Sequence, residues 1–190
     1  MKKFVTLFTD SYKELKSVRT ITTAAMFAAI AIILGMFSIE IGHVVRIGFS
    51  SIPNKLTAYL FGPVVGGIFG GTLDVLKYLI KPTGGYFLPL TLVVVLADVI
   101  YGFMYYKKPL SFWRILLASF LVTAVCNVIL NTMCLSVLYG KGFWAILPAR
   151  LVKNLVMWPI DSFIFYSLAK ALEALGVLST IRRFSAAGVK

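Results

Sequence analysis

The sequence is short of charge, of acid and of histidine. Only 14% of its 190 residues are Asp, Glu, Lys or Arg, against about 25% in soluble domains. Seven are acidic, and the single histidine, His43, excludes a metal cluster built on histidines. The two cysteines, Cys126 and Cys134, fall in one apolar run. On a helix they would stand ~12 Å apart, too far for a disulfide, so buried free thiols are expected. No Gly-x-x-x-x-Gly-Lys-Ser/Thr phosphate loop occurs, and Gly140-Lys141-Gly142 reads as a turn. There is no Gly-x-Ser-x-Gly nucleophile elbow either. ATP hydrolysis by a phosphate loop is excluded, and the residues advertise no catalysis and no cofactor.

What remains is apolar and basic. Hydrophobic types make up 59% of the chain and the mean hydropathy is +0.91, which argues against a soluble globule, a disordered chain or a solenoid. Nineteen Lys and Arg give a net charge of +12. In a soluble protein that would suggest nucleic acid; beside long apolar runs it belongs in loops next to a lipid bilayer. The basic stretch 1–19 is followed by an apolar run too long for a cleaved signal.

The runs predict six membrane helices. Residues 21–39 are uncharged and long enough to span. The run 49–61 holds Pro53 and Lys55 and is short enough to span only partly. Gly62-Pro63 breaks the chain before a glycine-rich third helix, 63–80. The fourth covers 87–106, the fifth 115–139 and the sixth 143–172. Continuous rather than alternating apolarity excludes a β-barrel. The expected fold is therefore an all-α integral membrane domain over 20–175, flanked by basic segments 1–19 and 176–190. An even span count puts both termini on one side. With the termini inside, that side carries twelve cations and the other seven, so cytoplasmic termini are expected. The seven are Arg46, Lys55, Lys77, Lys81, Lys141, Arg150 and Lys153, and many lie in or beside apolar segments.

Ionisable groups within membrane segments are candidate functional residues. Arg150, Lys153, Asn154, Met157, Trp158 and Asp161 step by three or four and share one helix face. Two cations with an aromatic below them suit an anionic ligand entering from outside; snorkelling lysine-type side chains with a belt tryptophan are the plainer reading. Asn127 and Asn131, at i and i+4, either glue helices or read the edge of a heterocycle. Asp98 sits mid-span and needs a partner. Asp74 and Lys77 are spaced to pair. The connection through Lys81, Gly84, Gly85, Tyr86 and Phe87 reads as a lid or as an interfacial belt, and the loop with Glu40, Gly42, His43, Arg46 and Gly48 could move over a pocket. Small-residue faces occur twice, at Ala24, Ala25, Ala28 and Ala29 and at Gly62, Gly66 and Gly70, each fit for packing or for a partner helix.

These residues resemble a known family. The length, the span count, Ala25-Met26-Phe27-Ala28-Ala29 and the short second helix resemble the S components of energy-coupling factor (ECF) vitamin transporters. Gly48-Phe49-Ser50-Ser51-Ile52-Pro53, Phe61-Gly62-Pro63, Gly66, Gly70, Asp74 and Pro82-Thr83-Gly84-Gly85-Tyr86-Phe87 look most like the folate-specific S components. The resemblance implies one vitamin bound from outside, in a pocket formed by the outer ends of the fourth, fifth and sixth helices and the loops after the first, third and fifth. It implies that Ala24, Ala25, Ala28 and Ala29 dock on a coupling transmembrane subunit, and that two ATPase subunits supply energy. Folate chemistry suits the residues: Tyr86, Phe87 and Trp158 for stacking, Asn127, Asn131 and Asp98 for the pterin edge, and Arg46, Lys77, Arg150 and Lys153 for the glutamate tail. Thr91 and Asn154 complete the expected binding set. Two alternatives stay open: an S component for another anionic or purine-like vitamin, and a small membrane enzyme or scaffold that holds lipid headgroups.

Overall fold

The computed structural model describes residues 2–41, 45–82, 85–140, 142–176, 178, 180 and 181. In chain order the elements are α1 (Lys2–Glu14), α2 (Val18–Met36), β1 (Ile39–Ile41), β2 (Val45–Ile47), α3 (Ser51–Phe61), α4 (Pro63–Ile80), α5 (Leu88–Tyr105), α6 (Phe112–Val122), a π-helical segment (Thr123–Leu130), α7 (Asn131–Tyr139) and α8 (Phe143–Ala174). Among them α2, α4, α5, the continuous helix Phe112–Tyr139 and α8 are long and apolar enough to cross a bilayer. With α3 they form the expected six-helix membrane domain. Their outward faces carry exposed apolar side chains such as Met26, Ile33, Leu92 and Phe163, as a lipid-facing surface requires. Trp113 at the start of α6 and Trp144 at the start of α8 are 72% and 79% exposed. They stand at opposite ends of the bundle, at the levels where interfacial tryptophans sit.

α3 is the departure from a plain bundle. Its 11 residues rise about 16 Å, half of a bilayer core. Every residue from Ile52 to Phe61 is buried, enclosed by α2, α4, α5 and α8. A helix wrapped by protein on all sides does not have to be apolar on all sides, which is how Asn54, Lys55 and Thr57 are accommodated. Gly62 ends it at φ 90°, a conformation that costs a side-chain-bearing residue energy, and Pro63 starts α4 at the position where a missing N–H is harmless.

The residues before the first span, expected only as a basic segment, form α1 and staple that turn. The hydroxyl of Ser11, fully buried, donates to the Phe61 carbonyl at 2.8 Å. It also accepts from the N–H of Val64 at 3.0 Å and of Val65 at 3.3 Å. One side chain thus serves a C-terminal carbonyl of α3 and two N-terminal amides of α4. Asp10 and Lys107 tie α1 to the α5–α6 connection at 2.6 Å. From the other end of the chain, Leu178 is buried and Ile181 packs against the same core.

The glycines of α4 face inward. A Cβ at Gly67 would meet Val99 at 2.8 Å, and one at Gly71 would meet Val95 at 2.9 Å. One at Gly70 would overlap the Asp98 carboxylate. On the facing helix, a Cβ at Gly102 would fall 2.5 Å from Pro63 Cα. The Gly62-Gly66-Gly70 face is therefore packing surface for α5 and α3. The alanines of α2 divide: Ala24 and Ala28 pack beside Ala31, Phe69 and Leu73, while Ala25 and Ala29 face outward. The loop after α2, expected as irregular, contains an antiparallel pair of strands in which Glu40 opposes Arg46. For Arg46 only the strand backbone is described. Its side chain lies outside the described residues, as do Gly42, His43, Thr83, Gly84 and Lys141.

Gly102→Ala should lower the thermal midpoint in detergent, costing about 1–3 kcal/mol, because the obstacle is backbone and cannot step aside. Ser11→Ala should cost a similar ~1–3 kcal/mol by stranding buried backbone groups. Melting curves that superpose on the parent would remove both contacts from the account of stability.

Candidate ligand-binding site

Two adjoining cavities open among α3, α4, α5, the Phe112–Tyr139 helix and α8, at the end of the bundle away from α1. The inner one, about 170 Å³, is lined by α3 (Ser51, Asn54, Lys55), α5 (Asp98, Tyr101), Ser119 and Thr123, and α8 (Asn154, Met157, Trp158, Asp161). The outer one, about 290 Å³, is lined by Lys77, Tyr78, Lys81, Tyr86, Phe87, Thr91, Tyr139 and Arg150. Val94, Asn127, Asn131 and Lys153 line both, so the two spaces share a wall and a passage.

The inner cavity is polar in an apolar place. Asn54 Nδ2 donates to Asp98 Oδ2 at 2.9 Å, which gives the mid-span carboxylate its partner. Lys55 is 2% exposed, and its ammonium lies 5.4 Å from the Tyr101 ring centre and 6.0 Å from that of Phe165. Those rings continue a stack in which Tyr105 sits 5.5 Å from both Tyr101 and Phe165. Five other polar atoms lining this space, Ser51 Oγ, Asn54 Oδ1, Ser119 Oγ, Asn154 Nδ2 and Asp161 Oδ1, are buried with no hydrogen-bond partner. Each such atom costs about 1–3 kcal/mol until something bonds it. Their convergence marks a space shaped for a polar guest.

The outer cavity is ringed by cations and aromatics. Thr91 Oγ1 donates to Asp74 Oδ2 at 2.8 Å and sits 3.2 Å from the Tyr86 hydroxyl. Asp74, spaced to pair with Lys77, is thus tied across to α5. The Tyr86 ring lies 5.1 Å from that of Tyr78, and both rings line the cavity. The lysine stem of Lys77 runs across to Gly35 at the end of α2.

The expected α8 face is real. Arg150, Lys153, Asn154, Met157, Trp158 and Asp161 all line one or both cavities. Lys153 Nζ donates to its neighbour Asn154 Oδ1 at 3.3 Å. Trp158, expected as a stacking platform, is wedged between helices: its Nε1 donates to the Leu116 carbonyl at 3.0 Å and its ring lies 5.2 Å from Phe120. Arg150, expected at the outer end as a ligand anchor, is 9% exposed and donates from Nη2 to the Asn127 carbonyl at 3.2 Å. Lys77, Tyr86, Phe87, Thr91, Asp98, Asn127 and Asn131, named from the sequence as candidates, line one or both cavities. The cavity also takes lining residues from α3 that are not among the sequence-derived candidates. Ser51, Asn54 and Lys55 step by three and one on a short run where polar residues are out of place, and that signal was present in the sequence.

Comparison with known proteins agrees with this architecture. The family model for the ECF transporter, substrate-specific component, matches residues 19–169. The folate transporter FolT of Clostridium novyi is 34% identical over 171 residues, covering 90% of this chain and 99% of that protein. FolT of Leuconostoc mesenteroides is 29% identical, over 79% of this chain and 84% of that protein. The fold is similar to a crystal structure of FolT bound with folic acid, with TM-score 0.75, 34% identity and coverage of 81% of this chain and 94% of that one. The S component of a bacterial ECF transporter is also similar, with TM-score 0.55, 26% identity and coverage of 82% and 96%. A match that runs through every membrane helix speaks for the whole bundle: the chain belongs to the ECF transporter substrate-specific components and is a multi-pass protein of the cell membrane.

Proposed function

We propose that this chain binds folate from outside the cell and carries it inward as the substrate-specific subunit of an ATP-driven ECF transporter. A coupling transmembrane subunit and two ATPase subunits complete the machine. The observation that carries the reading is the pairing of two unlike cavities in a chain so similar to a protein solved with folic acid. A folate joins an amino-oxo heterocycle to a dianionic tail through an aromatic ring. The inner cavity offers acceptors at Asn54 and Asp161 and a donor at Asn154, a pattern that suits N–H and C=O groups on one edge. The outer cavity offers Tyr78, Tyr86 and Phe87 for the ring, and Lys77, Lys81 and Lys153 for the carboxylates. The heterocycle thus goes in first and the tail faces the mouth.

The same reading orients the protein. The end carrying α1, Lys107, Lys108 and Arg114 faces the cytoplasm, by the excess of cations there. The cavity end faces outward. The exposed alanines of α2, Ala25 and Ala29, lie in an apolar strip with Met26 and Ile33 that suits a helix of the coupling subunit, while Ala24 and Ala28 support that strip from behind.

Titration of the detergent-purified protein with folic acid should show one-to-one binding; an absence of heat from a well-folded sample would sink the reading. Asn154→Leu should weaken folic acid by about 1–3 kcal/mol, and should leave p-aminobenzoyl-glutamate, which lacks the heterocycle, unchanged. Lys153→Met should weaken folic acid and flatten the salt dependence of its affinity, and an unaltered salt slope would take Lys153 out of the tail site. In intact cells a membrane-impermeant maleimide should label Lys81→Cys and spare Ser111→Cys. The opposite pattern would invert the orientation.

A further inference from the structure

The helix from α6 to α7 changes its winding at the cavity wall. Thr123–Leu130 form a π-helix, with Asn127 inside it and Asn131 at its end. The Asn131 N–H bonds the Cys126 carbonyl, five residues back. In an α-helix that amide would take the Asn127 carbonyl, four residues back. The wide turn therefore withholds that amide from Asn127. The carbonyl turns instead to α8, where Arg150 Nη2 donates to it at 3.2 Å. A guanidinium suits the task, because it is always charged and offers five N–H groups in a fixed plane, so one arm can hold the carbonyl while the head lines the outer cavity.

We infer that Arg150 is a positioning residue whose bond to the Asn127 carbonyl keeps this turn in its π form, and so keeps the Asn127 and Asn131 side chains in the cavity wall. Its removal lets the Asn131 amide recapture the Asn127 carbonyl. The turn then contracts by one residue, and one side of the helix rotates by about 100° against the other. Either Asn127 with Thr123, or Asn131 with Leu135, leaves the wall. Short irregular turns of this kind occur often where helices line functional sites. This assigns Arg150 a role distinct from that of Lys153 on the same face, which lines both cavities and whose ammonium donates to the Asn154 side chain.

The test has two arms, of which the first rests on the folate reading and the second does not. In the first, Arg150→Met, Arg150→Lys and Lys153→Met are titrated with folic acid and with pteroic acid, which lacks the glutamate tail. Arg150→Met should weaken both ligands by the same factor, about tenfold or more, and Arg150→Lys, which keeps a donor, should recover most of it. Lys153→Met should weaken folic acid alone. Loss of folic acid affinity with pteroic acid untouched in Arg150→Met would overturn the inference and make the guanidinium an anchor for the tail. In the second arm, maleimide labelling of the native thiols is read by mass spectrometry. Cys126, fully buried inside the π-helical segment, should label faster in Arg150→Met and at the parent rate in Arg150→Lys. Parent-like labelling of Cys126 in Arg150→Met would overturn the inference whatever the ligand. A parent that binds neither ligand would sink the folate reading while this arm still decides the role of Arg150. Should Arg150→Met not purify as a folded protein, Arg150→Leu, which also lacks a donor, is carried through both arms in its place with the same outcomes expected.

Discussion

Polar groups in the middle of a bilayer have only protein to bond to, and α3 is where that constraint shapes this molecule. The helix is half the length of a span and is buried throughout. Its carbonyl end is closed by a side chain from outside the bundle, Ser11 of α1, and by the Gly62-Pro63 turn. Its other end opens into the space that a full span would have filled. Ser51, Asn54 and Lys55 line that space, so the shortness of α3 and the existence of the inner cavity are one fact.

The same constraint runs outward from α3. Asn54 holds the Asp98 carboxylate, and Asp98 can sit there only because Gly70 has no side chain. The close approach of α4 and α5 is thus set by glycines on both helices, and it fixes the wall against which Lys55 and the tyrosine stack rest. On the far wall a carbonyl given up by a widened turn is held by Arg150. Polar satisfaction, rather than apolar contact alone, registers these helices against one another, as expected where lipid and protein interior are about equally apolar.

Much of this was legible in the residues. A 3.6-residue periodicity placed Arg150, Lys153, Asn154, Met157 and Asp161 on one face, and all of them line the cavities. Gly62-Pro63 marked the turn, and Pro53 with Lys55 marked the helix that stops short. Three features were not legible. Nothing in the run 1–19 tells that one serine reaches two helices, because that depends on where the chain returns. A π-turn differs from an α-turn by one residue of winding and leaves no mark in hydrophobic spacing. That the indole N–H of Trp158 meets the carbonyl of Leu116 depends on how α6 and α8 pack together.

The sequence by itself determined the class of the molecule, the number of its membrane helices and the face of α8 that carries charge. Those follow from length, hydropathy and period, which are local properties of a chain in a bilayer. The first of those helices, by contrast, runs Val18–Met36 and gives way to β1 at Ile39, where an apolar run alone predicted 21–39. Tertiary structure alone decided which glycines pack inward, which polar groups pair and which stay open to a guest, and that Arg150 spends a nitrogen on a backbone carbonyl. Those outcomes depend on what lies opposite each side chain, and residues such as Asn54 and Asp98, or Asn127 and Arg150, meet only when distant parts of the chain are folded together.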